Sequence, residues 1–478
     1  MKKIRIFATL VLMAVMSTST MAQLSPVDFM RNNPRASFAN PAFYTVDNGY
    51  FDLLLGGINF SLLNTGLKYD KFFRFDQQGY PVMLDLDKGV ASLKDVNYLN
   101  TTLNFDIFNC GLRTKHGYFT YAHRLREMES VSYSKDMIQF LAQGNGAFMG
   151  ASNPANFNIQ LAARLFQEFD FGYQMSLMEQ LNIGVRFKFL MGFADLKTNP
   201  VNMTVTTDPE TYAMTITPGQ MTVTGALPYQ LEAGQGISIV DGRFNVANLF
   251  KNFGGGIDLG AEYHINDQWG VAAAVNDLGF ISWSNNAVQL NAELQDGGPY
   301  YQDGSFVFSG LTSEQVNGLM HTEGYVDTLI GSFKDYFKMS VTPMAKYTTG
   351  LNTNLMVRGY YDITPEHRFS AQFTGYNMGL GIKPAMTIAY TGSFNKKYDV
   401  VATYTAMKGS FDNIGIGLSA NFGGILLYAA TNNLLGFFNP ANISQLNLQL
   451  GISFTSGKTV DRSEMVIIKD KQAEAYEE

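Results

Sequence analysis

The stretch Gly256–Trp283 alternates with a period of two. Ile257, Leu259, Ala261, Tyr263 and Ile265 fall on one side, and Asp258, Gly260, Glu262 and His264 on the other. After the polar Asn266-Asp267-Gln268 the alternation resumes, with Trp269, Val271, Ala273 and Val275 against Gly270, Ala272, Ala274 and Asn276. Successive side chains of a strand point to opposite faces, so each run reads as a strand and the pair as a hairpin. The runs 181–189, 369–375, 414–422 and 446–454 repeat the pattern, and their second face holds Gly, Asn, Gln, Ser, Arg and Lys. The apolar face must touch either the dry core of a sandwich or lipid.

Three features select lipid. Most of these strands run about nine to thirteen residues, matching the ~9–11 that a tilted transmembrane strand needs. Aromatic residues gather near turns, as with Tyr263 and Trp269 or Tyr360 and Tyr361, the placement of an interfacial girdle. The connections are also unequal. Short ones fall near 113–116, 179–180, 265–268, 362–366, 393–397 and 423–424, and long ones at 64–99, 127–167, 195–252 and 284–345. Composition agrees: charged residues are 16% of the chain, against about 25% in soluble domains. Mean hydropathy is only −0.05, and beyond the N-terminus no apolar run approaches the ~20 residues of a membrane helix.

These features predict an all-β fold: a transmembrane antiparallel up-and-down β-barrel of about fourteen strands. The strands are expected near 50–62, 101–112, 117–126, 168–179, 181–194, 253–264, 269–279, 346–361, 367–375, 383–392, 398–407, 412–422, 424–431 and 445–455. The run 338–348 reads as external loop; as a separate strand it would raise the count to sixteen. The polar faces place Asp258, Glu262, His264, Arg186, Lys188, Arg358 and Arg368 in the lumen. Two long loops are expected to be partly helical. Thr312–Gln315 is a capping-box pattern ahead of Ser313–Phe337, and Ser134–Gly144 is a shorter candidate.

The N-terminus carries Lys2, Lys3 and Arg5, an apolar run from Ile6 to Met16, and small residues at the cleavage positions of Thr20-Met21-Ala22. Residues 1–22 therefore read as a secretory signal peptide cleaved near Ala22, which, joined to the barrel pattern, predicts the Gram-negative outer membrane. Removing three of the 34 basic residues leaves 31 against 41 acidic ones, a formal charge of −10, which argues against nucleic acid as a partner. The single Cys110 excludes an intramolecular disulfide. Residues 23–49 hold Pro26, Pro34, Pro41 and several aromatics ahead of the first strand, and form either a plug in the lumen or a periplasmic leader. The barrel then spans 50–455, and the charged tail 456–478 is expected to be disordered in the periplasm.

Glu262 and His264 lie two apart on one strand face with Asp258 nearby, but the pair has no identifiable partner ligand or nucleophile, so no catalytic residue, metal or cofactor is expected. Met137, Phe140, Leu141, Phe148 and Met149 on an external loop either capture an apolar ligand or pack the loop.

The "FANPAFY" at 38–44, just before the first strand, resembles the Asn-Pro-Ala that ends the N-terminal hatch of FadL-like outer-membrane barrels, and 254–283 resembles the PorV-like side of that superfamily. The resemblance implies a fourteen-stranded barrel with a plug and places Asn40, Pro41 and Ala42 in the hatch. Two more such triplets, at 153–155 and 439–441, fall in external loops. The function implied is uptake of hydrophobic small molecules, with membrane lipid as a partner. The alternatives are a binding or assembly barrel that partners secretion-system proteins, and an open polar porin.

Overall fold

The computed structural model describes residues 25–456 apart from 44–48, 54–55, 76–80, 115, 200, 218–220, 235, 242–250, 295–300, 303–304, 309–336, 378–381, 408–409 and 439–443. Fourteen strands form one closed antiparallel barrel. They are β1 (Gly49–Leu53, then Ile58–Asn64), β2 (Val96–Arg113), β3 (Tyr118–Ser134), β4 (Ala155–Met178), β5 (Leu181–Thr198), β6 (Phe253–His264), β7 (Trp269–Trp283), β8 (Tyr347–Gly350, then Asn354–Thr364), β9 (His367–Asn377), β10 (Ile382–Phe394), β11 (Tyr398–Met407), β12 (Ser410–Asn421), β13 (Ile425–Thr431) and β14 (Gln445–Thr455). Each pairs with its neighbours in sequence, and β1 pairs with both β2 and β14, which closes the ring. Closure lets every wall strand find partners on both sides, the condition for crossing lipid.

All fourteen expected strands are present, but several are longer than the sequence suggested. β2, β3, β4 and β5 run 18, 17, 24 and 18 residues. The segment 127–167, expected as a loop, is mostly wall, and only residues 135–154 connect β3 to β4. A strand above the bilayer has no need of an apolar outer face. Its alternation lapses while its ladder continues, here supported by Arg164 Nε donating to Asp195 Oδ1 at 2.7 Å.

The long segments 195–252 and 284–345 carry strand rather than helix where they are described. Met221–Ala226 pairs with Ala287–Leu294, which in turn pairs with Phe337–Pro343. That last strand extends the β7–β8 hairpin above the barrel, so the wall count stays at fourteen. The helix Lys135–Gln143 forms as expected, with the Ser134 side chain accepting from Met137 N. Ser313–Phe337, residues 1–24 and residues 457–478 lie outside the described residues, except that Phe337 begins a strand.

Residue alternation sorts cleanly. Leu259, Tyr263, Trp269 and Val271 are exposed on the outer face, whereas Asp258, Glu262, Ala272 and Ala274 are buried inside. At the end with short turns, aromatic pairs ring the outside. Trp269 and Tyr361 have centroids 4.6 Å apart, Phe119 and Tyr173 4.6 Å, and Phe51 and Phe454 5.1 Å. The outer face of the barrel is thus an apolar band bounded by aromatics, as lipid requires.

Candidate functional site: a lumen filled by the N-terminal segment

The segment 25–43 folds through turns that its own short polar side chains close. Ser25 accepts from Val27 N at 3.2 Å, and Asp28 accepts from Ser25 N at 3.3 Å, a capping box around the 3-10 turn Pro26–Phe29. Asn33 accepts from Arg35 N at 3.0 Å and starts a second turn, Pro34–Phe38. Asn40 accepts from Ala42 N at 2.8 Å. Proline supplies the fixed φ of a first helical position and has no N–H to leave unpaired there.

This folded segment lies inside the barrel. Val27, Phe29 and Met30 pack on Ala389 (β10), Val401 (β11), Tyr428 and Ala430 (β13). Ala36 and Phe43 pack on Ala272 and Ala274 (β7) and Met356 (β8). Glycines in the wall make room. A Cβ on Gly184 would sit 2.2 Å from the Pro41 carbonyl carbon, and one on Gly260 1.9 Å from Asn40 Oδ1. Asn40 is buried, and its Nδ2 donates to the carbonyls of Ala261 and Ala273 at 3.1 and 3.3 Å.

A band of buried charge crosses the lumen beside the segment. Arg35 is ion-paired with Asp52 at 2.6 Å and with Asp106. Arg124 pairs with Glu168 and, at 3.0 Å, with Asp170. Arg126 reaches Glu168 at 2.7 Å and both oxygens of Asp277 at 2.9 and 3.0 Å. Lys188 contacts Asp277 at 2.5 Å and Asp258 at 2.9 Å, and Arg186 contacts Asp258 at 3.2 Å. Ions removed from water need this dense mutual pairing, because each unpaired one would cost several kcal/mol, on the order of the desolvation penalty.

The Phe38 ring lies among three of these guanidiniums, with Arg124, Arg186 and Arg35 at 4.1, 4.6 and 5.6 Å from its centroid. Each such contact is worth about 0.5–2 kcal/mol, towards the upper end when desolvated. Arg35 is where the segment is tied most tightly to the wall. A Cβ on Gly57 would meet its Cζ at 3.2 Å, so the break in β1 at Gly56-Gly57 lets the guanidinium approach.

Two cavities flank the segment. One, of about 130 Å³, is lined by Arg35, Phe38, Asp106, Arg124, Lys188 and Asp277, among others, towards the external half. The other, of about 530 Å³, faces the short-turn end and is lined by Phe29, Met30, Phe43, Glu262, Arg358 and Lys396, among others. Asp28 lines both. Burial pushes its carboxyl up from an ordinary 3.8 to about 7, against the opposing pull of Arg358 and of the Ser25 amide.

That shift carries a sign. The docked segment holds a proton on Asp28 that a released segment gives up, so docking is favoured most below pH 3.8 and weakens as pH rises towards about 7. Release of the segment is therefore expected to rise between pH 5 and pH 8, and Asp28→Asn should flatten the profile. Bilayer conductance at both pH values checks this; equal profiles for the two proteins would refute it.

The residues singled out in the sequence divide into three groups. Asp258, Arg186 and Lys188 belong to the charge band. Glu262, His264, Arg358 and Arg368 line the larger cavity. There Tyr360 Oη lies 3.0 Å from both Glu262 Oε1 and His264 Nδ1, and Arg368 is held by Asp362 through two bonds of 2.7 Å. The third group is external. Phe148 is buried and Phe140 packs against it with Ala155, Val205 and Phe157, whereas Leu141 is 74% exposed. Met137 and Met149 are partly buried, and no cavity described here is lined by any of the five. Arg35, Asp52, Asp106, Arg124, Arg126, Glu168, Asp170 and Asp277 were missed, whereas Phe38 stood among the aromatics of residues 23–49. Arg126 and Glu168 stood at the assumed ends of β3 and β4. Extending the alternation Ala122, Arg124, Arg126 inward would have flagged them.

A family model described as a family of unknown function, DUF5723, matches residues 41–432, from Pro41 through β13. The chain belongs to the DUF5723 family. Among solved structures, this DUF5723 barrel is similar to a FadL homologue of Pseudomonas aeruginosa at 8% identity and TM-score 0.42, with 90% of this chain and 96% of that chain covered. It is also similar to the toluene transporter TbuX of Ralstonia pickettii, at 9% identity, TM-score 0.41 and coverages of 88% and 94%. The toluene transporter TodX of Pseudomonas putida matches at 7%, 0.37, 91% and 94%. No curated protein matches the chain.

Proposed function

We propose that the protein is an outer-membrane channel for the uptake of small hydrophobic molecules, closed in this state by residues 25–43. The observation that carries this reading is what the segment occupies. It fills mid-lumen positions that receive Val27, Phe29, Met30, Phe38 and Phe43, with a cavity on each side. When it withdraws, it leaves apolar patches at Ala272, Ala274, Met356, Ala389, Val401 and Ala430, next to the guanidiniums of Arg124 and Arg358, which lose the faces of Phe38 and Phe29. An apolar or aromatic solute satisfies the same surfaces. Nothing in the structure favours a secretion partner over a solute.

The test is uptake of a radiolabelled apolar solute such as naphthalene by cells with and without the protein, across an intact lipopolysaccharide layer. Faster uptake with the protein is expected, and equal rates would overturn the reading.

A further inference from the structure

Arg358 stands apart from the other cations of the lumen. It is only 6% exposed, yet no carboxylate among the described residues lies within ion-pair distance of it. Its acceptors are all neutral. Nε and Nη2 donate to Gln372 Oε1 at 2.8 and 2.6 Å, and Nη1 donates to the Asp28 carbonyl at 2.9 Å. Of the five N–H groups of a guanidinium, one on each terminal nitrogen is left over. The rings of Phe29 and Phe43 lie 4.1 and 4.7 Å from its Cζ.

The other charges around the same cavity are committed or distant, and the Asp28 carboxyl, which also lines it, accepts from the Ser25 amide at 3.3 Å and meets the field of Arg358 only from beyond ion-pair distance. Arg368 is held by Asp362, and Arg31 donates to the Pro365 carbonyl at 2.7 Å. Glu262 accepts from Tyr360 and from Asn182 at 3.1 Å and faces His264, while Glu366 accepts from Thr364 at the mouth. Lys396 also lines the mouth. A buried cation with only neutral acceptors is costly to maintain, and an arriving anion offsets that cost.

We propose that the 530 Å³ cavity is a binding site for a small monocarboxylate with an aromatic body, the carboxylate on Arg358 and the ring against Phe29, Met30 and Phe43. A planar carboxylate matches the guanidinium fork, a buried cation with no carboxylate at ion-pair distance favours an anion, and the size lies within the ~300–1,000 Å³ of ligand sites. The position on the short-turn side makes it an exit site. That role rests on the channel reading above, whereas the binding itself does not.

The experiment is calorimetric titration of the purified full-length barrel with benzoate and with benzyl alcohol. Benzoate is expected to bind at least tenfold more tightly, and Arg358→Gln to abolish the preference while the barrel stays heat-modifiable on gels. Equal binding of the two ligands by the natural protein, a comparison that needs no variant, would overturn the site, as would an intact preference in the folded variant. Uptake failing while benzoate binds sinks the channel reading alone; uptake without the preference sinks this site alone.

Discussion

Deleting Ser25–Ala39 is expected to leave a folded barrel that conducts. The ladder does not depend on the segment, because β1 begins at Gly49 and closes on β2 and β14 through main-chain bonds. The deletion removes Arg35 from Asp52 and Asp106 and Phe38 from among Arg124 and Arg186. Water then enters, and hydration replaces the lost ion pairs, so the wall does not carry dry unpaired carboxylates. In planar bilayers at pH 5, where docking is favoured, the full-length protein should sit at the closed baseline and the truncated one should show discrete steps, with both remaining heat-modifiable. A truncated barrel that stays closed would mean that another element seals the lumen. A full-length protein that already conducts like an open pore would mean that the segment does not seal it.

The second large effect concerns the wall. Phe373 on β9 is 52% exposed on the outer face midway along its strand, beside Val357 and Met386. Its neighbour Thr374 points inward and lines the 130 Å³ cavity. Phe373→Arg should cost about 2–4 kcal/mol of folding into bilayers, the price of arginine at the midplane of a lipid face. Thr374→Glu should cost much less, because the cavity it lines carries the cations Arg35, Arg124, Arg126 and Lys188. Urea titrations of the two variants in lipid vesicles measure the difference. Equal losses would mean that the register is displaced by one residue, since such a slip exchanges the faces.

The fold was legible because lipid imposes a strict local rule. Each crossing strand must present an apolar side chain at every second position, so Leu259, Tyr263 and Val271 announce their face from the sequence alone. The helix Lys135–Gln143 was legible for a similarly local reason, the Ser134 cap. The rule lapses above the bilayer. There β3 and β4 continue with Glu127, Ser130 and Arg164, which the pattern alone assigned to a loop, and Phe337–Pro343 joins Ala287–Leu294 without adding to the wall.

The sequence by itself determined a wall of about fourteen strands, its inside and outside, and the inward aim of Arg186, Lys188, Asp258, Glu262 and Arg358, because all of these follow from a period of two read over ten residues; the structure decided fourteen against sixteen. Only the tertiary structure decided who pairs with whom across the lumen. Arg126 meets Asp277, 151 positions away, and Arg35 meets Asp106, 71 positions away. Phe38 finds its guanidiniums on β3 and β5, and Arg358 is left with neutral acceptors only. These contacts join the N-terminal segment to several strands, or strands that are not neighbours in the wall. They are set by the curvature that closes the barrel and by the depth at which the segment docks, and neither quantity is written in any local stretch of the chain.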